Sequence, residues 1–213
     1  MKPMMFCLFI VAGLAAGAAH AQQPWRTVPK IAVISPTSDS RLPAVNEAVA
    51  FWNQTFTELG SGFRLGAVTR MVQPIPEEAL QQLSALVLGG RGRVSHFPAA
   101  LSDLPGDITI YLAASEFVSF ASPFNQNSKR IVGIRGARFP PMSFPNVPRN
   151  VIAHELGHAI GLRHNSDPAM LMCGRPSTCR PDLFRSDQPR MFPLREDEKR
   201  FLLTMYPSQW KSR

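Results

Sequence analysis

The prediction of the fold rests mainly on the segment HELGHAIGLRHNSDPAMLM, residues 154–172. The chain contains five histidines, and three of them, His154, His158 and His164, lie close together at the start of this segment. Because His154 and His158 are four residues apart, a helix places their rings on one face, one turn from each other. Two imidazoles so placed can bind one metal ion, and zinc suits nitrogen ligands at about 2.0–2.1 Å. The segment therefore predicts a helix that carries two metal ligands.

Gly161 and Glu155 complete the predicted site. Glycine turns the chain at a positive φ at little cost, so Gly161 can end the helix and let His164 return as the third ligand. Three protein ligands leave one coordination position open, as in catalytic zinc sites. Glu155 lies beside the histidine face, where it can reach a water molecule on the metal. We therefore predict that Glu155 is the general base for a zinc-activated water and returns the proton to the leaving amine.

The extended motif resembles that of the metzincin zinc peptidases. Metzincins carry a tight turn after the third histidine, with a methionine beneath the metal. The matching residue here is Met172, and Met170 is the alternative. The short form His-Glu-x-x-His also occurs by chance on helices, where the histidines would form only a buried polar cluster.

Within the metzincins, the chain resembles the matrixin branch most closely. The stretch NSDPAMLM (165–172) is similar to the matrixin segment after the third histidine, GDITIYLA (106–113) to the third strand, FVSFASP (117–123) to the edge strand that binds substrate, and FPLREDEKRFLLTMY (192–206) to the closing helix. The resemblance implies a twisted, mostly parallel sheet with an antiparallel edge strand, packed against the motif helix. It also implies a C-terminal helix after the methionine turn and one catalytic zinc ion.

Several features depart from the matrixin pattern. Asn165 stands where matrixins have Ser or Thr, and no tyrosine closely follows the methionine turn, as one would in an astacin. Residues 22–29 are too few to form an inhibitory pro-segment before the first predicted strand. The third strand runs almost directly into the edge strand, which leaves no long loop for structural zinc or calcium. Calcium is therefore unsupported, and His96 is expected to be a surface or packing residue.

Residues 1–21 have the composition of a secretory signal peptide, with an early lysine, an apolar run and the sequence AHA before a cleavage site expected after Ala21. The apolar run is short for a membrane anchor and is diluted by Ala and Gly. We therefore expect a secreted protein, periplasmic or extracellular, with no membrane span in its mature form. Cys173 and Cys179 remain after cleavage, and in an oxidising compartment they are expected to form one disulfide.

The chain is basic. Its 23 basic and 15 acidic residues give a formal net charge of +8, which becomes +7 when Lys2 leaves with the signal peptide. We interpret this charge as a solvated basic surface, with attraction to anionic cell surfaces or acidic substrates as the alternative. No nucleic-acid recognition motif accompanies the charge, so no nucleic-acid partner is predicted, and we expect a monomer.

Alternating strands and helices along residues 30–208 predict one α/β domain, between a short arm (22–29) and a tail (209–213). In the last helix, Phe201, Leu202 and Met205 are expected to face the core. Strands are predicted at 30–35, 63–72, 106–114, 116–123 and 129–137, and helices at 42–60, 77–90, from about Asn146, and at 194–207.

Together these features predict a secreted zinc metalloendopeptidase. Its protein or peptide substrate is expected to bind as an extra strand along residues 116–122. The alternative is a secreted metzincin-fold module that binds or inhibits without hydrolysis. Hydrolysis of a non-protein amide, such as a cell-wall crosslink, is a third hypothesis.

Overall fold

Five β-strands form one mixed sheet at the centre of the molecule. The computed structural model describes residues 23–89, 97–125, 127–144, 146–174 and 188–213. The strands are β1 (Ile31–Ile34), β2 (Val68–Met71), β3 (Ile108–Leu112), β4 (Phe120–Ala121) and β5 (Arg130–Ile134). Their order across the sheet is β2-β1-β3-β5-β4, with β4 antiparallel to β5 and all other pairs parallel.

Within the described residues, four α-helices and one short 3-10 helix (Ala99–Leu101) flank the sheet. The α-helices are α1 (Leu42–Glu58), α2 (Glu77–Leu88), α3 (Asn146–Ala159) and α4 (Glu196–Met205). The motif helix α3 packs against α1, β4 and β5. The predicted α/β fold is therefore confirmed: a mostly parallel sheet, an antiparallel edge strand and a helix after the motif.

The two faces of the sheet bury different side chains. Along β3, Ile108, Ile110 and Leu112 join the core shared with α1, α3 and α4, whereas Tyr111 joins a second core that includes residues of α2. All five residues of β3 are buried. Because both faces are covered there, the inner strands β1 and β3 are buried along their whole length and are mainly apolar, not alternating.

Helix α1 buries the apolar face that its spacing predicts. Val45, Val49, Trp52 and Phe56 are all buried in the larger core. The helix ends slightly earlier than predicted, and Gly60 closes its last turn at φ 70°. Residues with a β-carbon adopt this conformation only at a cost in energy, so the glycine defines where the helix stops.

Strand β2 is shorter than the predicted strand at 63–72, because Phe63 turns away from the sheet. Its ring stacks on Tyr206 with 4.1 Å between centroids, and it makes an edge contact with Phe56 at 4.9 Å. Such aromatic contacts stabilise by about 0.5–1.5 kcal/mol beyond the area they bury. Packing thus determines the path of the first part of this segment.

Strand β4 is also shorter than the prediction, which covered residues 116–123. Ahead of the strand, the carbonyl of Val118 accepts a hydrogen bond from the hydroxyl of Ser84 on α2, at 2.7 Å. The carbonyl of Glu116 accepts from the side chain of Gln81, also on α2. Because a helix provides these partners, ladder pairing begins only at Phe120.

Helix α4 corrects one expectation about its inner face. Leu202 is buried and Met205 packs against the core, as expected, but Phe201 is 41% exposed. Glu198, Leu202 and Tyr206, which recur every four residues, are buried instead. Phe201 lies about 100° around the helix from Leu202, and this rotation turns it towards solvent.

The N-terminal half of α3 is tied to the segment that precedes α4. The side-chain amide of Asn146 donates to the carbonyl of Gln188 at 2.7 Å, and that of Asn150 donates to the carbonyl of Arg190 at 2.9 Å. The Asn150 side-chain oxygen accepts from the backbone N–H of Phe192 at 2.8 Å. These bonds hold the motif helix in place at the end that carries no histidine.

The predicted signal peptide, residues 1–21, lies outside the described residues and stays a prediction. Among the residues that the structure does describe, no helix has the length and apolar character needed to cross a membrane.

Candidate metal centre and cleft

Helix α3 ends in a glycine turn that changes the direction of the chain. Gly161 has φ 115°, a conformation that favours glycine. The N–H of Leu162 donates to the carbonyl of Gly157 at 2.9 Å, and the N–H of Gly161 donates to that of His158 at 3.1 Å. This pair of bonds is the Schellman pattern of helix termination. The turn brings His164 back towards the helix face.

The rings of the three histidines converge. The Nε2 atoms of His154 and His158 are 3.1 Å apart, those of His158 and His164 are 2.9 Å apart, and those of His154 and His164 are 3.1 Å apart. The structure therefore brings all three predicted ligands together as one group that could hold a metal ion.

Backbone carbonyls orient two of these rings. The Nδ1 of His154 lies 2.8 Å from the carbonyl oxygen of Leu171, and the Nδ1 of His158 lies 2.9 Å from that of Leu162. Because a carbonyl can only accept, each Nδ1 carries the proton and each Nε2 presents a lone pair. Facing lone pairs repel each other unless a cation lies between them. Both rings thus have the tautomer that metal ligation through Nε2 requires.

The triangle of nitrogens matches the size of a zinc site. Two nitrogens that bind one zinc ion at about 2.0–2.1 Å are about 3.3 Å apart in an ideal tetrahedron. The observed separations of 2.9–3.1 Å lie slightly below that value. Three imidazoles leave a fourth position for solvent or substrate. The residues present therefore fit zinc.

The surroundings of His158 and His164 favour their neutral imidazole forms. Burial lowers the pKa of His158 to about 4, and the neighbouring His164 and Arg130 act in the same direction. Burial also lowers the pKa of His164. Neutral imidazole is the form that binds metal, so these environments favour ligation.

Glu155 is buried next to the histidines, with 6% of its surface exposed. Burial raises the pKa of its carboxyl group to about 8, and the backbone N–H of Ala121 on β4 opposes this rise. A divalent cation held by the three imidazoles would also oppose it, because nearby positive charge favours the carboxylate. The side chain of Glu155 lines the same cleft as residues 118–121 of the edge-strand segment.

Met172 lies beneath the motif helix. It is fully buried, and a β-carbon on Gly157 would come within 2.5 Å of its sulfur. The carbonyl of Met172 accepts from the backbone N–H of Asn165 at 2.8 Å. Met170, the alternative, is partly exposed in the turn, where its N–H donates to the carbonyl of Asp167 at 3.1 Å. Met172 therefore contacts the motif helix at Gly157.

The turn after His164 is held by Asn165 and Glu198. The side-chain amide of Asn165 donates to one carboxylate oxygen of Glu198 at 2.6 Å, and the other oxygen accepts the backbone N–H of Arg195 at 2.8 Å. One glutamate thus joins the start of α4 to the metal turn. A β-carbon on Gly174 would lie 2.1 Å from the ring of His164, so only glycine permits this ring position.

Three side chains from distant parts of the chain donate hydrogen bonds to the last carbonyls of α3, which have few partners within the helix. The bonds join Tyr206 Oη to Ile160 at 2.9 Å, Trp25 Nε1 to Ala159 at 3.0 Å, and Arg130 Nη1 to His158 at 3.3 Å. Sequence reasoning missed these three residues. The available signal was that buried Tyr and Trp usually find a partner for their polar atom.

Arg130 also connects the helix to the edge strand. Its Nη1 donates to the carbonyl of Ser122, directly after β4, at 3.2 Å. Its guanidinium lies 3.9 Å from the ring centroid of Phe124. The side chain is buried, and burial lowers its pKa to about 10. Arg130 therefore fixes the position of β4 relative to the last turn of α3.

A cleft of 420 Å³ opens over the histidines. His154, Glu155 and His158 of α3 form one wall, and residues 118–121 form the other. Because β4 is the outermost strand of the sheet, its outer edge is not paired within the sheet. The cleft therefore places a strand edge opposite the histidines.

Two predictions fall partly or wholly outside the described residues. Cys173 is buried and lines the cleft, but Cys179 lies in the undescribed range 175–187. The Cys173–Cys179 disulfide therefore stays a prediction. His96 also lies outside the described residues.

Comparison with known proteins finds similarity to solved structures. No protein-family model matches the chain, and no curated protein matches it. The fold is similar to the crystal structure of archaemetzincin from Methanopyrus kandleri, at 18% sequence identity and a TM-score of 0.47. The match covers 88% of this chain and 97% of that one. The function proposed below follows from the geometry of the histidines and their surroundings.

Proposed function

We propose that this chain is a zinc-dependent endopeptidase whose metal is held by His154, His158 and His164. The observation that carries the proposal is the convergence of three Nε2 atoms within 3.1 Å of one another. Two of these atoms present lone pairs, because backbone carbonyls occupy the opposite nitrogens. Three imidazoles beside an open cleft are a donor set of catalytic zinc. Without a metal ion between them, these lone pairs would face and repel each other.

Glu155 is the residue that moves the proton. Zinc bound at this site would supply a Lewis acid that polarises the scissile carbonyl and lowers the pKa of the attacking water. The Glu155 carboxylate accepts one proton from the water as the water oxygen attacks the carbonyl carbon. When the C–N bond breaks, Glu155 gives that proton to the leaving nitrogen. The second water proton stays on the new carboxyl group until the products exchange it, so they leave as a carboxylate and an ammonium group. The N–H of Ala121 helps to orient the carboxylate.

The substrate in this proposal is a peptide that extends the sheet along residues 118–121. The outer edge of β4 has no strand partner among the described residues, and backbone groups on such an edge give affinity for any extended peptide. This arrangement places the peptide between the edge strand and α3, beside Glu155. Backbone pairing is independent of side chains, so the cleft walls determine the sequence preference.

The finer assignments are supported by sequence alone. We propose a metzincin, and within that family a matrixin-like enzyme, because of the motif at 154–172 and the stretch at 165–172. Secretion is supported by the composition of residues 1–21. N-terminal sequencing of the exported protein tests secretion, and an N-terminus at Gln22 is the expected result.

The substitution Glu155→Gln tests the mechanism. The amide keeps the size of the side chain but cannot accept the proton, so kcat should fall by about 10²–10⁴-fold. Zinc content, measured by elemental analysis, should remain one ion per chain. Full hydrolytic activity in this variant would contradict the role of Glu155.

Digestion of casein and of a peptide library, with and without a chelator, tests the function itself. Cleavage that a chelator abolishes and zinc restores is the expected result. Wild-type protein that binds zinc stoichiometrically but cleaves no peptide would favour the non-hydrolytic binding module. Release of an amine from a non-protein amide alone would favour the third hypothesis.

A further inference from the structure

The apolar stripe of helix α2 continues past the core that it covers. Leu80, Leu83 and Ser84 are buried, and Val87 packs against the same core one turn later. Leu88 follows at the helical spacing from Ser84, so it lies on the same side of the helix. Yet Leu88 is 56% exposed. The last turn of the stripe therefore carries an apolar side chain on the core-facing side without a core beneath it.

This exposed end of α2 lies at the cleft that contains the histidines. Val87 and Leu88 line that cleft together with Val118 of the segment leading into β4. The cleft is therefore bounded on this side by three aliphatic side chains. Leu86, two residues before Leu88 on the same helix, is similarly exposed at 51% but does not line the cleft. Two leucines in this turn are thus about equally exposed, and only Leu88 faces the cleft.

Helix α2 is held firmly along the approach to the edge strand. At its start, the carboxylate of Glu77 accepts the backbone N–H groups of Ala114 at 2.8 Å and Ser115 at 3.0 Å. Further along, Ser84 donates to the carbonyl of Val118 at 2.7 Å. Bonds at both ends of the contact fix the helix to the strand segment. These bonds position α2 so that its last turn lines the cleft.

One charged side chain on this side of the cleft has a partner of opposite charge. Arg135, which also lines the cleft, donates to the carboxylate of Glu116 at 2.8 Å. Among the residues that the structure describes, this ion pair offsets the charge of Arg135 near the aliphatic side chains, so a charged substrate group would lose its hydration there without gaining an unpaired partner. An apolar group would gain by covering Leu88.

We infer that Val87, Leu88 and Val118 form a subsite for one apolar side chain of a bound peptide. The inference rests on the proposed function, since it assumes an extended peptide along residues 118–121. Side chains of an extended peptide alternate between the two faces of the sheet, so every second residue points to the α2 side. One of these residues meets the three aliphatic side chains. The substrate class is therefore peptides with an aliphatic or aromatic residue at that position.

The test compares Leu88→Asn with Leu86→Asn. Both substitutions replace a half-exposed leucine by a side chain of similar size in the last turn of α2, and only the first changes the cleft. Peptide binding is measured in the zinc-loaded Glu155→Gln background by fluorescence anisotropy with a labelled peptide library. For peptides with a large apolar residue at the position that meets the subsite, Leu88→Asn should weaken binding about tenfold. For peptides with alanine at that position, the affinity should not change.

Leu86→Asn should bind like the parent protein, and cleavage-site profiles in the Glu155-containing enzyme should show the same preference and the same loss. Equal effects of the two substitutions, or an unchanged preference in Leu88→Asn, would overturn the subsite. Because binding is read without hydrolysis, peptides that bind through the subsite but are never cleaved would contradict the proposed function and support the subsite. Failure to bind any peptide would contradict both.

Discussion

The sulfur atom of Met172 lies against the backbone of Gly157, in the turn of helix that separates His154 from His158. A β-carbon at position 157 would lie 2.5 Å from this sulfur and 2.9 Å from the indole ring of Trp52. Both separations are shorter than a carbon atom can approach a sulfur or carbon atom to which it is not bonded, so glycine is required there. The methionine and the glycine together determine how closely the turn after His164 approaches the motif helix.

Substitution of Gly157 by Ala should therefore disturb the site even though Ala favours helices. Overpacking of this kind costs about 1–3 kcal/mol. We expect urea denaturation to show that loss and zinc competition to show weaker metal binding. Gly89→Ala is the matched control, because Gly89 has φ −64° and its nearest neighbour would be 3.3 Å away. Equal stability of the two variants would contradict the contact with Met172.

Tyr206→Phe removes one hydroxyl group that has two partners at the end of α3. This hydroxyl donates to the carbonyl of Ile160 at 2.9 Å and accepts a hydrogen bond from the backbone N–H of Trp25 at 3.3 Å. Because both partners are left buried without it, we expect a loss of about 1–3 kcal/mol in the free energy of unfolding. Tyr111→Phe, at the other tyrosine of the chain, provides the control in the second core.

The same pair of variants separates stability from metal binding. If the C-terminal end of α3 positions His158 and His164, then Tyr206→Phe should also weaken zinc binding, measured below the unfolding temperature. Tyr111→Phe should leave zinc affinity unchanged. An unchanged zinc affinity in Tyr206→Phe would limit the role of Tyr206 to folding stability.

Glu198→Ala should loosen the turn that follows His164. The carboxylate of Glu198 holds both the N–H of Arg195 and the amide of Asn165, and the side chain is buried. Loss of a buried acceptor with two donors costs about 1–3 kcal/mol or more. Glu196→Ala, in the same first turn, removes only an exposed contact with Lys199 and should change stability by less than about 1 kcal/mol. Thermal unfolding of both variants with saturating zinc provides the comparison.

Zinc should stabilise the folded protein by binding to the histidine triangle. At a free zinc concentration of about 100 times Kd, the expected gain is about 2.7 kcal/mol. Thermal unfolding with a zinc buffer and with a chelator measures it as a shift in Tm. His158→Ala should lose this shift, because the Nε2 of His158 lies within 3.1 Å of both other ligand atoms. A zinc-dependent shift of the same size in His158→Ala would place the metal elsewhere.

The sequence predicted the order of the elements and the mixed sheet well. The strands β1, β3 and β5 are mainly apolar, and α1 has its apolar residues at helical spacing, so local patterns were sufficient. The limits of β2 and β4 were overestimated, because Phe63 and the carbonyl of Val118 find partners in other elements. Phe201 was placed inward, although Glu198 and Leu202 take the inner face of α4. Long-range contacts decided each of these differences.

The chain by itself determined the candidate metal ligands, since the spacing of His154, His158 and Gly161 dictates a helical pair and a turn through local geometry. It also placed Glu155 beside that pair. Only the tertiary structure decided what surrounds them. Trp25 and Arg130 meet the end of the helix from far along the chain, and Leu88 reaches the cleft through the docking of α2. These placements depend on packing between distant segments, which no local sequence pattern encodes.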